Sequence, residues 1–223
     1  MTESESRGSR PRRTRANGEQ SRERILDAAT EVATERGYDG TTISLVSKKS
    51  GLPPTSIYWQ FADKDDLIAA VIERSFARWL AALDWPGAEA LEEQARQIGP
   101  QVAKALLDAP DFIRLGLMLA LERRPVEPRA REVFLEVRAE AFRRFAGMVR
   151  GLAPELDEEG VNLITTYAIA GADGLFIAKE IGGDSVDLIS LFQLHARVVF
   201  EKAAELLHPT SGARDVGEEH GGE

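Results

Sequence analysis

The 223-residue chain contains no cysteine. Disulfides, thiolate zinc sites and a thiol nucleophile are therefore excluded, and a reducing compartment suits it. Histidine is almost as scarce: His195, His208 and His220 are scattered, two of them in or near the C-terminal tail, so no ligand cluster for a metal is at hand. P-loop, dinucleotide-binding glycine, zinc-protease and nucleophile-elbow motifs are missing too. An enzyme is not expected, nor is a cofactor or a metal. Long apolar runs are also lacking, since the two best, 112–121 and 163–178, are broken by Arg114 and by Asp173 among glycines. Neither offers the roughly 18 uninterrupted residues a membrane span needs. The polar, Arg-rich start carries Glu3 and Glu5, unlike secretory or transit peptides. The expectation is a cytoplasmic protein with no membrane partner.

What is present is a charge asymmetry. The net charge of −9 taken alone argues against a polyanion partner. Through Gln60, however, ten Lys/Arg face eight Asp/Glu, whereas after it eighteen face twenty-nine, so the ends carry +2 and −11. Residues 1–18 combine Ser, Gly and Pro with Arg7, Arg10, Arg12, Arg13 and Arg15 and read as a disordered basic arm; 209–223 read as a disordered acidic tail.

Between these tails the pattern is all-α, about nine helices with no strand alternation. Ile25, Ala29 and Val32, with Leu26 and Ala33 beside them, form a helical stripe that Ser21 could cap and Gly37 could stop. Thr42 suits the cap of a short second helix ending at Gly51. Pro53 and Pro54 open a third short helix to about Phe61, and Asp63 caps a fourth to about Leu83. Further helices are expected at about 88–108, 111–123, 127–150, 156–181 and 185–207. Two short helices about a glycine turn, the second opening on prolines and small hydroxyls, suit a recognition helix that approaches DNA. Ile57 and Phe61, four apart, serve as its buried edge and leave Tyr58 and Trp59 outward.

Together these motifs resemble the DNA-binding domain of the tetracycline-repressor (TetR) family over residues 22–74. The resemblance rests on ILDAA, Gly-Tyr-x-Gly-Thr-Thr, the glycine at 51, Ile-Tyr-Trp-x-Phe, and Asp63-Lys64-Asp65-x-Leu67. It implies a helix-turn-helix domain at 19–79 and a helical effector-binding and dimerisation domain at 80–208. It also implies DNA contacts from Thr42, Thr55, Ser56, Tyr58, Trp59, Gln60 and Lys64. Pro53 departs from the family's Ser or Thr cap, Leu45 from a commonly polar position, and Ser47 from a common alanine.

In the body, two broadly apolar helices need cover on more than one side. Ile164, Tyr167, Gly171, Gly174 and Leu175, with Leu188, Phe192, His195 and Val199, are expected to form a homodimer interface. Arg114, Met118, Phe145, Tyr167 and Asp173 are the candidates for the pocket of an unidentified, mostly apolar small-molecule effector. The function expected is an effector-controlled repressor that binds a palindromic operator as a homodimer. A DNA-binding protein of nucleoid type, without an effector or strong site preference, is the alternative.

Overall fold

The computed structural model describes residues 11–83, 91–122 and 124–207, with the backbone alone at 11–16, 91–96, 204, 206 and 207. Residues 1–10 of the basic arm and the tail 209–223 lie outside the described residues. Among the described residues the chain is all-α, with nine α-helices: α1 (Pro11–Gly40), α2 (Ile43–Ser50), α3 (Pro54–Tyr58), α4 (Lys64–Ala81), α5 (Leu91–Asp108), α6 (Asp111–Leu121), α7 (Arg129–Leu152), α8 (Glu158–Gly182) and α9 (Leu188–Leu207).

The chain folds into two compact units. Among the described residues, one comprises those of 11–78 with 109–137, the other those of 79–108 with 138–207. A single division at 79/80 does not anticipate the return of α6 and the first part of α7 to the N-terminal unit.

In the N-terminal unit, Ile25, Leu26, Ala29, Val32 and Ala33 of α1 are buried, as are Val46 of α2, Ile57 of α3 and Leu67, Ile68, Val71 and Ile72 of α4. These are the positions of the apolar stripes, so burial follows periodicity here. The start of α1 does not follow the expectation. It is already helical at Pro11, the first described residue, so 11–18 are helical rather than disordered. Ser21 is consequently inside the helix, where its hydroxyl donates back to the Asn17 carbonyl (2.8 Å) instead of capping. Gly37 does interrupt the helix, at φ 69°, ψ −175°. That left-handed φ favours glycine, and the Met118 Cε lies only 3.1 Å from where a Cβ would sit.

Polar side chains fasten this unit. Arg74 of α4 donates to Glu23 (3.0 Å), Asp27 (2.8 Å) and Thr30 (3.1 Å) of α1. The buried Ser75 hydroxyl accepts from the Phe112 N–H (3.1 Å) at the start of α6, where Pro110 supplies no side-chain cap. Phe76 and Phe112 meet edge to face at 5.5 Å.

In the second unit, α9 packs on both α5 and α8. Ala146, Val149, Val161 and Ile164 form a core cluster against which Phe142, Leu156, Val199 and Ala203 pack. Asp157 caps α8 by accepting from the Gly160 N–H (2.8 Å). Several residues assigned above to a dimer interface work inside this unit. Ile164, Leu188 and Phe192 are buried in the protomer itself, and Val199 packs on the cluster. Gly171 receives the imidazole of His195, whose Cε1 lies 2.2 Å from the position of a Cβ there. The ring is held by a 2.8 Å bond between its Nε2 and the Ala168 carbonyl. At Gly171, the space that reads as room for a partner helix is filled by the His195 ring of α9.

The face of α8 that remains exposed carries Leu163, Tyr167, Ala170, Gly174, Ile177 and Ile181, spaced alternately four and three apart. By length and composition the segment Glu158–Ser185 is apolar enough to cross a bilayer, contrary to the expectation that no run qualifies. That apolarity divides between the core residues Val161, Ile164 and Phe176 and the exposed stripe.

Candidate nucleic-acid interface

The turn between α2 and α3 is built from local chemistry. Thr42 is extended (φ −133°, ψ 151°) and its hydroxyl accepts from the Leu45 N–H (3.2 Å), capping α2. Gly51 ends α2 at φ 68°, ψ 18°, and its N–H donates to the Ser47 carbonyl (3.0 Å). A Cβ would fit there in ordinary contact with Arg24, so it is the left-handed φ that calls for glycine. Ser47, a departure from the family's alanine, donates its hydroxyl to the Leu52 carbonyl (2.7 Å), and Arg24 donates to the Ser50 carbonyl (2.8 Å). The turn is therefore held from both sides.

Pro53 stands at the cap of α3 with no side-chain hydrogen bond, and Pro54 occupies the first turn. α3 closes at Tyr58, shorter than expected, although the Phe61 N–H still donates to the Ile57 carbonyl (2.9 Å). Ile57 and Phe61 are buried at 0% and 3% exposure, whereas Tyr58 is 56% and Trp59 88% exposed. Thr55 is exposed and Ser56 half-buried. Two adjacent aromatics in water are unfavourable on a surface with no partner, and they lie at the end of the helix that the fold presents.

Gln60 and Lys64 are placed differently. The Gln60 amide reaches the Gly18 carbonyl of α1 (3.4 Å). Lys64 is half-buried: its ammonium donates to the Tyr38 carbonyl (3.2 Å) and lies 4.3 Å from the centre of the Tyr38 ring. Lys48 and Lys49 complete the last turn of α2. Glu31 (2.5 Å) and Glu35 engage Lys49 and raise its pKa, the hydrogen bond to Glu31 being the main cause. Lys48 is exposed. Its signal in the sequence is the basic pair that closes α2.

Tyr38 is a hub between Lys64, Asp65 and Arg124. It is 8% exposed, and burial, reinforced by donation from its hydroxyl to Asp65 (3.0 Å), pushes its pKa far above the ordinary phenol value. Arg124 also lies over this ring, at 4.7 Å, while its guanidinium forks onto Asp39 (2.8 and 3.0 Å). That hydrogen bonding holds Asp39 below and Arg124 above their usual ranges. The Arg124 links have no sequence signature, because Arg124 is 85 residues from Asp39.

The five pocket candidates divide between the units. Arg114 and Met118 belong to α6 in the N-terminal unit; Phe145, Tyr167 and Asp173 belong to the other. Met118 is 48% exposed beside Gly37. Asp173 forms a two-pronged ion pair with Arg138, and its pKa is raised by burial, with Arg138 opposing. Tyr167 is half-exposed, its ring 6.0 Å from that of His195. Among the described residues no group of three or more His, Cys, Asp or Glu is arranged to hold a metal ion.

Residues 25–71 match the profile of the bacterial regulatory proteins of the tetR family. A helix-turn-helix transcriptional repressor of Mycobacterium tuberculosis is 33% identical over 113 residues, which is 51% of this chain and 42% of the relative. The regulator AcrR of Shigella flexneri is 33% identical over 64 residues, 29% of this chain and 30% of its own. The chain thus aligns with less than half the length of these curated relatives. Among solved structures, a transcriptional regulator of Pseudomonas aeruginosa superposes with a TM-score of 0.71 at 20% identity, over 89% of this chain and 98% of that one. The fatty acid degradation regulator FadR of Bacillus halodurans gives 0.65 at 18% identity, over 80% and 94%.

Proposed function

Since this chain belongs to the TetR family of bacterial transcriptional regulators, we propose that it is a cytoplasmic repressor that binds a palindromic operator as a homodimer and is released by a small, mostly apolar effector. The observation that carries the DNA-binding assignment is the pairing of buried Ile57 and Phe61 with exposed Tyr58 and Trp59 in and just after α3, beside the Thr42-capped α2. Thr55 and Ser56 at the N-terminal end of α3, Tyr58, Trp59 and Gln60 at its C-terminal end, and Thr42 and Lys64 to either side meet phosphate and base edges.

The dimer reading is supported by the exposed α8 stripe from Leu163 to Ile181. An apolar face of that length is unfavourable in water, and a second copy about a twofold axis covers it with the same face. Tyr167 and Gly174 lie on it; Leu175 and the half-buried part of His195 flank it. A twofold dimer sets two copies of α3 to read half-sites separated by about 34–36 Å or somewhat more. Effector bound in the body acts through α4, which runs unbroken from Lys64 to Ala81, and alters the separation of the two reading heads.

The test is selection of duplexes from a random-sequence pool by the full chain, followed by footprinting and mass measurement. Recovery of one palindromic site bound by a dimer is expected. Equal binding to every duplex, falling steeply with salt, favours the nucleoid-type alternative.

A further inference from the structure

Lysine carries a long flexible stem, so a lysine that must meet a phosphate loses rotamer freedom on binding unless the protein fixes it beforehand. Lys64 is fixed beforehand. Its ammonium bonds the Tyr38 carbonyl (3.2 Å) and sits over the Tyr38 ring, and with three donors it keeps capacity for a further acceptor.

Tyr38 is itself held from two directions. Its hydroxyl donates to Asp65 Oδ1 (3.0 Å), and the Arg124 guanidinium lies over the same ring while gripping Asp39 on the adjacent residue. Asp65 is anchored in turn. α7 begins after Pro128, which has no side-chain acceptor, so the first N–H groups of the helix lack a local cap. Asp65 supplies it from α4, accepting the Arg129 N–H on Oδ2 (2.5 Å) and the Ala130 N–H on Oδ1 (3.1 Å). A carboxylate at that end of a helix is also favoured by its dipole. One residue therefore caps a helix 64 positions away and orients the tyrosine on which Lys64 rests.

We propose that Asp65 and Arg124 are positioning residues for DNA binding: through Tyr38 they hold the Lys64 ammonium in its phosphate-binding pose, which makes the segment 124–130 a determinant of operator affinity. This rests on the operator-binding reading above. It goes beyond that reading in giving α6–α7, remote from α3 in sequence, control over a contact made by α4.

The experiment measures binding of the full chain to a duplex selected from a random pool, over a series of salt concentrations. The variants are Asp65→Asn and Arg124→Ala, alone and combined with Lys64→Ala, with helicity and thermal melting recorded for each. Asp65→Asn and Arg124→Ala should each weaken binding about three- to tenfold and flatten the salt dependence by up to about one phosphate contact. Neither should weaken it further in the Lys64→Ala background. Arg124→Lys, which keeps a charge for Asp39, should recover part of the loss. Should Asp65→Asn fail to fold, Tyr38→Phe, which removes only the hydroxyl, replaces it. Wild-type affinity for Asp65→Asn and Arg124→Ala, or an equal loss with and without Lys64, overturns the proposal while leaving operator binding standing. An inert Lys64→Ala overturns it together with the phosphate role of Lys64, and a wild-type chain that selects no sequence overturns the operator reading itself.

Discussion

Replacing Trp59 by alanine should separate DNA affinity from stability. The side chain is 88% exposed, so of roughly 250 Å² for a tryptophan only about 30 Å² leaves water on folding, worth less than about 1 kcal/mol at about 25 cal/mol/Å². If DNA covers half of the exposed part, about 110 Å², the same coefficient gives an upper limit of about 2.8 kcal/mol on binding. Imperfect complementarity reduces that to about 1–2 kcal/mol, or about a 5- to 30-fold rise in Kd. Ile57 provides the contrast. At 0% exposure, its truncation to alanine should remove about 2–4 kcal/mol of folding stability. Fluorescence anisotropy on a selected duplex, with thermal melting of the free protein, reads both quantities. A Trp59→Ala protein that melts several degrees lower while binding normally would show that the aromatic belongs to the core and would refute the assignment of this face to DNA.

Further outcomes follow from other parts of the molecule. Gly171→Leu should destabilise the protomer, because its side chain would collide with His195, whereas Gly174→Leu, with nothing within 4 Å of a Cβ, should leave helicity intact and dissociate the dimer; sedimentation and thermal melting distinguish the two. Arg74→Ala should lower the urea midpoint by an amount equivalent to about 1–2 kcal/mol, since one 13%-exposed guanidinium serves Glu23, Asp27 and Thr30. Removal of residues 1–16, which hold Arg7, Arg10, Arg12, Arg13 and Arg15, should weaken operator binding chiefly at low salt, with a shallower slope of log Kd against log salt. An unchanged slope would mean that the arginines meet no phosphate.

Much of the local structure was legible in the sequence. The stripe of Ile25, Ala29 and Val32, the Thr42 cap, the Gly51 stop and the Ile57/Phe61 edge were all readable, because helix caps, left-handed glycines and 3.6-residue periodicity act between residues a few positions apart. Where a local rule had a competitor it failed: Ser21 was available as a cap, but the chain is already helical ten residues before it. For the body, the pattern identified two helices with too much apolar surface for one side, yet not which residues lay on which side. Ile164 and Leu163 are adjacent and equally apolar, and one is 4% and the other 59% exposed.

The sequence by itself thus determined most of the helices and the capped turn between α2 and α3, since each depends on chemistry within one turn or one short motif. Tertiary structure alone decided that Gly171 receives the His195 ring, that Asp65 caps α7, and that Arg124 reaches Asp39 and Tyr38. Those choices depend on which helix faces which across 24 to 85 residues of chain. At such separations the pairing is set by the packing of the whole unit, and a carboxylate or a glycine looks the same in sequence whichever partner it meets.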